Sequence, residues 1–512
     1  MLARSLLQLL SFRLLTFCLT LLLLRVLPLS SLGANLALEL ARSFLYCALT
    51  DGVRRTVTTH LAAATERGGV DEPTLNLLHL PPLLAGCMLA ASLLVACKTA
   101  STTPSLYLLS ISLECLSERF HVLALCGGLP KAAARAPDHM PRSLGESAAS
   151  TARTVALILM HYSPFELPAE TMYGLASVSY SATFTVAIAL SYRARHPPPP
   201  PVALRFPPPS SPLYGPLLHL TFSSLLQNAL TELDKLTLSA LPVSPADSGV
   251  YALASSYGGI CTRLLLSPIA DLCRATAATT RDPKPLRHLL KLSAYVSLLL
   301  LIFGPPHIGT LLLLLRPSSP PLLPSCVAAY MHLFAACSLN GCLETFFHAR
   351  LPPRQLALTH GVASRALAVC VYAVVVLAVG RCIPDADLAL VVIAAATAQS
   401  LARALYAACY LGWESVAFNF PLPVWAASLQ AAFFCRCSEA FFVGGIWGFE
   451  GLQAAALHVA VGGAVGAIWL FVVWTTDSEF WSELREGRRK ARAGAGSAGG
   501  GEKKKKKKKK DE

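Results

Sequence analysis

The sequence predicts an all-α polytopic membrane protein. Hydrophobic residues make up 54% of its 512 residues and charged residues only 14%, where a soluble domain carries roughly a quarter. Apolar runs long enough to span a bilayer recur along the chain. The net charge of +14 includes one run of eight lysines near the C-terminus. The other basic residues occupy short loops, a pattern typical of membrane topology and not of a nucleic-acid-binding surface.

The first apolar run lies within residues 1–28. It is longer than the core of a secretory signal and Arg13 interrupts it, so we expect a first spanning helix. Later runs raise the expected total to about fourteen spans. They lie near residues 32–50, 78–97, 104–126, 147–162, 172–192, 216–240, 249–272, 289–315, 322–348, 362–380, 385–411, 423–443 and 452–475.

A proline-rich segment at residues 193–215 separates two groups of six spans. Its sequence, RARHPPPPPVALRFPPPSSPLYG, is typical of stiff extended chain. We therefore expect an N-lobe at 1–192, a cytosolic linker, and a C-lobe at 216–411. An extra transmembrane helix pair is expected at 412–475, followed by a basic cytosolic tail at 476–512.

Basic residues are concentrated on one side of this predicted topology. The connections after odd-numbered spans hold only Lys98, Arg316 and Arg381. The positive-inside rule then places both termini and the linker in the cytosol. Lys509 and Lys510 stand fourth and third from the end of the tail, matching a di-lysine retrieval signal of endoplasmic reticulum membrane proteins. A solvated lysine tract that attracts anionic lipid is an equally good interpretation.

Several charged side chains fall inside or at the edges of predicted spans. Each costs a few kcal/mol there, on the order of 3, unless it faces the bundle interior or water. Asp234 and Lys235 lie in one arm of a helical hairpin, and Arg263 lies in the other arm. Arg4 and Lys291 stand near span starts and are expected to snorkel. The full basic set is Arg4, Arg13, Arg25, Arg42, Arg119, Arg153, Lys235, Arg263, Lys291, Arg365, Arg403 and Arg436.

This set predicts a cavity that binds an anion, because guanidinium groups grip phosphate through paired hydrogen bonds. The alternative is that each arginine pairs with a carboxylate and only orders the bundle. Motifs of soluble enzymes are absent from the sequence, and we read the DxD spacing of Asp385 and Asp387 as a loop turn. The sixteen cysteines lie mostly in apolar runs and predict buried thiols. We expect no enzyme activity, no metal site and no cofactor.

Five segments together resemble one known family. They are FRLLTFCLTLLLLR at 12–25, DGVRR at 51–55, CLSERFHVL at 115–123, the stretch 230–268 and SLNGCLETFF at 338–347. The chain resembles the eukaryotic family of dolichyl-diphosphate-linked oligosaccharide translocation proteins. That family belongs to the superfamily of multidrug, oligosaccharidyl-lipid and polysaccharide flippases, which includes lipid II flippases of the MurJ type. The resemblance implies two six-helix lobes around a central cavity plus two C-terminal helices. The chain departs from the family pattern at Leu233, Ala270 and Arg119.

The resemblance implies transport of Man(5)GlcNAc(2)-PP-dolichol from the cytosolic to the lumenal leaflet of the endoplasmic reticulum, for protein N-glycosylation. The expected partners are this lipid and the bilayer, and no nucleic acid; protein partners stay open. The expected substrate-binding residues are Arg13, Arg25, Arg42, Arg54, Arg55, Glu118, Arg153, Asp234, Lys235, Arg263, Asp271, Asn340 and Glu344. One alternative is an accessory factor of the pathway that does not itself flip the lipid. Another is an antiporter of the same fold, with Asp234 and Glu344 as candidate coupling carboxylates.

Overall fold

The fold is known from a computed structural model of the chain. It describes residues 18–66, 72–99, 103–125, 140–164, 167–196, 213–241, 244–261, 269, 273, 283–316, 320–350, 360–382, 387–417, 420–443, 451–478 and 480–482. Every regular element in these residues is a helix, and none of them lies in a strand. The predicted all-α class is confirmed.

The helices differ widely in length. They are α1 (Cys18–Val26), α2 (Leu29–Glu66), α3 (Glu72–Asn76), α4 (Leu80–Thr99), α5 (Thr103–Leu125), α6 (Met140–His161), α7 (Ala169–Arg195), α8 (Tyr214–Thr231), α9 (Leu233–Ala240), α10 (Pro245–Cys261), α11 (Pro283–Leu315), α12 (Leu322–Arg350), α13 (His360–Cys382), α14 (Leu388–Leu411), α15 (Trp413–Val416), α16 (Leu422–Ser438) and α17 (Gly451–Thr476). A 3₁₀ turn, Leu77–His79, joins α3 to α4, and a π-helical turn, Glu439–Val443, extends α16.

Seven helical stretches among the described residues are long and apolar enough to cross a membrane. They are Thr74–Ala96, Ala169–Arg195, Leu286–Leu313, Leu322–His348, His360–Cys382, Leu388–Leu411 and Gln453–Thr476. The count becomes eight if α1 and the first part of α2, bent by 117° against each other, form one broken span. The helix α5 falls outside this set because it carries Glu114, Glu118 and Arg119. The expected total of fourteen stays a prediction.

The chain divides into two compact units that do not follow the chain order. The first unit comprises Met1–Leu264, Pro320–Cys326 and Leu351–Ala402. The second comprises Leu265–Ser319, Val327–Arg350 and Arg403–Glu512. The division into lobes expected from the sequence stays a prediction.

In the first unit, α2 is the central helix and packs against α5, α8 and α10. Glycine permits the closest approach to α8, because a Cβ on Gly52 would lie 1.8 Å from the Thr221 Oγ1 atom. Beyond this contact, Val57 joins Tyr192 and Leu217 in an apolar core. These contacts fix the side of α2 on which its polar residues lie.

In the second unit, α11 packs against α16 and α17. The Lys291 Nζ atom lies 2.6 Å from the Asp477 Oδ2 atom, and the Tyr295 hydroxyl donates to the same carboxylate. The rings of Trp469 and Phe480 pack against Tyr295. We call Lys291, Tyr295 and Asp477 the Asp477 cluster. The expectation that Lys291 snorkels is wrong: a buried carboxylate at the end of α17 holds its ammonium group.

Candidate functional site

A polar cavity of about 280 Å³ lies in the first unit, between α2, α6 and α8. Its lining residues are Ser43, Tyr46, Cys47, Asp51, Arg54, Arg55, Arg142, Ser224, Gln227, Asn228 and Thr231. Three arginines face one aspartate in this lining. We refer to this space as the polar cavity. Two of these arginines have carboxylate partners just behind the lining, Arg54 in Glu118 and Arg142 in Glu146, but all three still offer guanidinium donors to an anionic ligand.

Arg54 is held in place by two acidic side chains and a tyrosine. Its Nη2 and Nε atoms lie 2.6 and 3.0 Å from the two carboxylate oxygens of Glu118, and Nη1 lies 3.0 Å from Asp51. The Tyr46 hydroxyl donates to Glu118 at 2.6 Å. The predicted span ended near residue 50, whereas α2 continues to Glu66. The helix can continue because partners on α5 neutralise charges that would otherwise require a solvated loop.

Arg42 and Arg153 are paired in the same way. The Arg42 Nη2 atom lies 2.5 Å from Glu114, its Nε donates to Ser110 at 3.2 Å, and its guanidinium stands 5.6 Å from the centre of the Tyr180 ring. Arg153 donates to Glu39. We call Arg42, Arg54 and Arg153 with Glu39, Glu114 and Glu118 the arginine cluster. Each of these predicted arginines has a carboxylate partner, so a phosphate would bind them by exchange or by adding to an existing pair.

Two further arginines contribute charge to the polar cavity. Arg55 is exposed on α2 and lines it. The Arg142 Nε atom lies 2.7 Å from Glu146, and its Nη1 lies 3.0 Å from the His121 Nε2 atom. Burial alone would lower the pKa of the Arg142 guanidinium, but the Glu146 carboxylate raises it above its ordinary value. Arg142 falls between the spans predicted at 104–126 and 147–162, so the sequence does not mark it as a site residue; its four-residue spacing to Glu146 is the one available signal.

The predicted pair Asp234 and Lys235 follows a one-residue break between α8 and α9 at Glu232. The Lys235 Nζ atom lies 2.5 Å from the Glu232 carboxylate. The Tyr251 hydroxyl donates to Asp234. Lys235 also interacts electrostatically with Glu39, which connects this pair to the arginine cluster.

The other predicted residues lie elsewhere. Arg25 is exposed on α1. Asn340 and Glu344 belong to the second unit, where the Asn340 amide donates to Glu344 at 3.3 Å and Arg403 donates to the same carboxylate. Outside the described part of the chain lie the predicted site residues Arg13, Arg263 and Asp271, the predicted retrieval-signal residues Lys509 and Lys510, and also Arg4 and Asp385.

The helix α8 contributes a wall of the polar cavity that is absent from the residues predicted for the site. Ser224, Gln227, Asn228 and Thr231 all line the polar cavity. Their spacing of three, one and three residues places them on one face of a helix. That spacing was visible in the sequence, inside a run that is otherwise mostly apolar.

Comparisons with known proteins agree on a family. A family model described as "Rft protein" matches residues 3–486. The Man(5)GlcNAc(2)-PP-dolichol translocation protein RFT1 of Saccharomyces cerevisiae is 33% identical over 140 residues, covering 25% of this chain and 24% of the relative. The protein of the same name from Schizosaccharomyces pombe is 33% identical over 152 residues, covering 27% and 28%. The chain thus spans about a quarter of the length of these curated relatives.

Two solved structures share the fold. One is a lipid II flippase MurJ in an inward closed conformation, with a TM-score of 0.57 and 10% identity, covering 91% of this chain and 97% of that one. The other is a multidrug resistance MATE family transporter of the MOP superfamily, in an inward-facing conformation, with a TM-score of 0.52 and 12% identity. It covers 79% of this chain and 94% of the transporter. The MurJ and MATE-like fold expected from the resemblance is confirmed.

Proposed function

The chain belongs to the Rft protein family, and we propose that it translocates Man(5)GlcNAc(2)-PP-dolichol between the leaflets of the endoplasmic reticulum membrane. The names of its yeast relatives support this substrate. The observation that carries the proposal is the polar cavity, which combines arginines with uncharged hydrogen-bonding groups inside a membrane protein. A diphosphate-linked sugar presents both chemistries side by side.

The diphosphate would lie against the α2 and α6 walls of the polar cavity. Arg55 is exposed there, and Arg142 faces the same space with its charge maintained by Glu146. A buried ion in a membrane protein is tolerated when a partner neutralises it. The oxygens of Asp51 and Glu118 occupy the positions around the Arg54 guanidinium that phosphate oxygens would also occupy. A phosphate would add to this arrangement or displace Asp51, which at 28% exposure is the more solvated of the two carboxylates.

Transport requires no covalent chemistry in this proposal, and we assign the chain no catalytic residue. We place both termini in the cytosol because basic residues are concentrated on that side of the predicted topology. The dolichol tail would stay among the acyl chains while the polar head passes through the protein. The lipid gradient or an ion would supply the driving force.

The test is a sidedness assay in sealed vesicles that contain labelled Man(5)GlcNAc(2)-PP-dolichol. An impermeant mannose-binding lectin reports the fraction of lipid in the outer leaflet over time. We expect the wild-type protein to accelerate movement over empty vesicles. The Arg55→Gln variant should slow it by about tenfold, because a charge-assisted hydrogen bond to phosphate is lost.

The matched control is Arg436→Gln, because its side chain is 60% exposed and pairs with Glu439 in the second unit. It should move the lipid at the wild-type rate. Folded wild-type protein that does not exceed empty vesicles would exclude direct translocation and favour an accessory role. Equal slowing by both substitutions would exclude a specific role for the polar cavity.

A further inference from the structure

The α8 wall of the polar cavity differs in chemistry from the walls opposite. Its four lining residues, Ser224, Gln227, Asn228 and Thr231, are uncharged and carry hydroxyl or amide groups. The α2 and α6 walls carry every charged residue of the lining. The charged groups therefore lie on one side of the polar cavity, and the neutral hydrogen-bonding groups of α8 lie on the other.

Two polar atoms of the α8 wall are buried without a hydrogen bond. They are the Ser224 Oγ atom and the Asn228 Nδ2 atom. Ser224 is only 2% exposed. A buried polar atom without a partner destabilises a protein by about 1–3 kcal/mol. Both residues line the polar cavity, so a small rotation of either side chain would bring its unpaired atom into reach of a ligand with oxygen acceptors.

The size of the polar cavity limits that ligand. Its volume of about 280 Å³ corresponds to roughly nine water molecules at about 30 Å³ each. It lies near the lower end of the range of about 300–1,000 Å³ for pockets that enclose small molecules. The space suits a diphosphate with one attached sugar ring, and the rest of a branched heptasaccharide would extend through its open side.

We infer that the α8 wall is the subsite for the first sugar of the lipid, an N-acetylhexosamine joined to the diphosphate. This inference rests on the proposed function and assigns its sugar specificity. The Asn228 amide donates to an oxygen of the sugar or its acetamido group, and the Ser224 hydroxyl hydrogen-bonds beside it. Arg55 and Arg142 take the phosphates from the opposite walls. The outer mannoses stay outside the polar cavity, so the number of mannoses does not set affinity.

The test compares ligand binding by the purified full-length chain in detergent. The probes are a short-chain prenyl diphosphate without sugar and the same lipid with one N-acetylglucosamine. The test variant is Ser224→Ala with Asn228→Leu. Ser256→Ala is the control, because its hydroxyl bonds to the Ala252 carbonyl of its own helix.

We expect the double variant to bind the sugar-bearing lipid about tenfold more weakly than the wild type, because it loses two hydrogen bonds. Its affinity for the sugar-free lipid should be unchanged. Its melting temperature without ligand should equal or exceed that of the wild type, because two unsatisfied polar groups are removed. The Ser256→Ala control should bind both lipids as the wild type does.

Equal binding of the sugar-bearing lipid by wild type and double variant would overturn the subsite, and retained diphosphate binding would leave the proposed function intact. Wild-type protein that binds neither lipid would overturn both. A melting temperature that falls in the double variant would show that these atoms have structural partners, and would also overturn the subsite. Extension of the probe to the full heptasaccharide should change affinity by less than about threefold; a larger gain would refute the one-ring limit.

Discussion

In the first unit, Arg54 and Glu118 form a buried ion pair beside the polar cavity. In the second unit, Lys291 and Asp477 form a buried ion pair beside aromatic rings. The Lys291 ammonium stands 5.5 Å from the centre of the Phe480 ring. Both pairs consist of one basic and one acidic side chain on different helices, yet their surroundings differ.

The difference suggests how one kind of contact serves two purposes. The Asp477 cluster fixes the start of α11 against the end of α17, because a lysine and a tyrosine share one carboxylate. The arginine cluster has several carboxylates within reach of several guanidinium groups, and Arg54 also faces the polar cavity. A guanidinium with two acidic partners can exchange one of them for a phosphate. We therefore expect substitutions in the arginine cluster to change both stability and binding, and those in the Asp477 cluster to change stability alone.

The largest effect is expected from Glu118→Ala. It leaves Arg54 buried without its bidentate partner and removes the acceptor of the Tyr46 hydroxyl. Removal of one partner of a buried ion pair destabilises by about 3–5 kcal/mol. The yield of monodisperse protein and its melting temperature in detergent should fall sharply.

A double variant, Arg54→Met with Glu118→Leu, separates the charge effect from packing. It should recover most of the lost melting temperature, because neither charge of the buried pair remains and Asp51, which loses Arg54, is 28% exposed. Its affinity for the diphosphate lipid should stay below that of the wild type, since the Arg54 guanidinium that faces the polar cavity is missing. A single variant as stable as the wild type would contradict the pairing of Arg54 with Glu118.

The next effect tests the geometry that forms the polar cavity. In Gly52→Ala the new Cβ would lie 1.8 Å from the Thr221 Oγ1 atom and 2.9 Å from its Cα atom. The helices α2 and α8 must separate, at a cost of about 3 kcal/mol. Melting temperature and lipid binding should both fall. The control is Gly86→Ala on α4, where no atom lies within 4 Å of the new Cβ; an equal loss there would show that clash is not the cause.

A smaller effect is expected in the Asp477 cluster. Asp477→Asn keeps the shape and an acceptor for the Tyr295 hydroxyl but removes the charge that pairs with Lys291. We expect a loss of about 1.5 kcal/mol, below the about 3–5 kcal/mol for a partner removed outright, because the asparagine oxygen still accepts a hydrogen bond. The melting temperature should fall, while lipid affinity per folded molecule should match the wild type. Weakened lipid binding in this variant would contradict the expectation that the Asp477 cluster affects stability alone.

The smallest effect is expected from Arg436→Ala. Its side chain is 60% exposed and meets Glu439 at 2.9 Å. Exposed ion pairs contribute about 0–1 kcal/mol. Melting temperature and lipid affinity should both stay within error of the wild type. A clear loss of melting temperature or lipid affinity would show that the π-helical turn after α16 has a role in stability or binding that this exposed ion pair does not explain.

The sequence predicted the helical class because hydropathy is a local property that each apolar run displays by itself. The partner of Arg54 was not predictable, since Glu118 lies 64 residues away and only the packing of α5 on α2 brings it near. The charges at 51–55 indicated a loop and not a helix, because the partners on α5 that neutralise them are not visible in the local sequence. Lys291 was misassigned because its partner, Asp477, follows a different span near the end of the chain. The polar face of α8 is readable from its spacing, whereas its unsatisfied atoms emerge only from the fold.

The length of α2 has a consequence for how a lipid would reach the protein. Its 38 residues extend about 57 Å at 1.5 Å per residue, whereas the hydrocarbon layer is about 30 Å thick. Measured from Leu29, Arg42 lies about 20 Å along the helix and Arg54 about 38 Å. If Leu29 stands at one edge of that layer and α2 has an ordinary tilt of about 20°, Arg42 falls near mid-depth and Arg54 at the level of the lipid headgroups. A diphosphate would then contact Arg54 while its lipid remains in the leaflet. The diphosphate would keep its water at this first contact, because it would not yet enter the hydrocarbon layer.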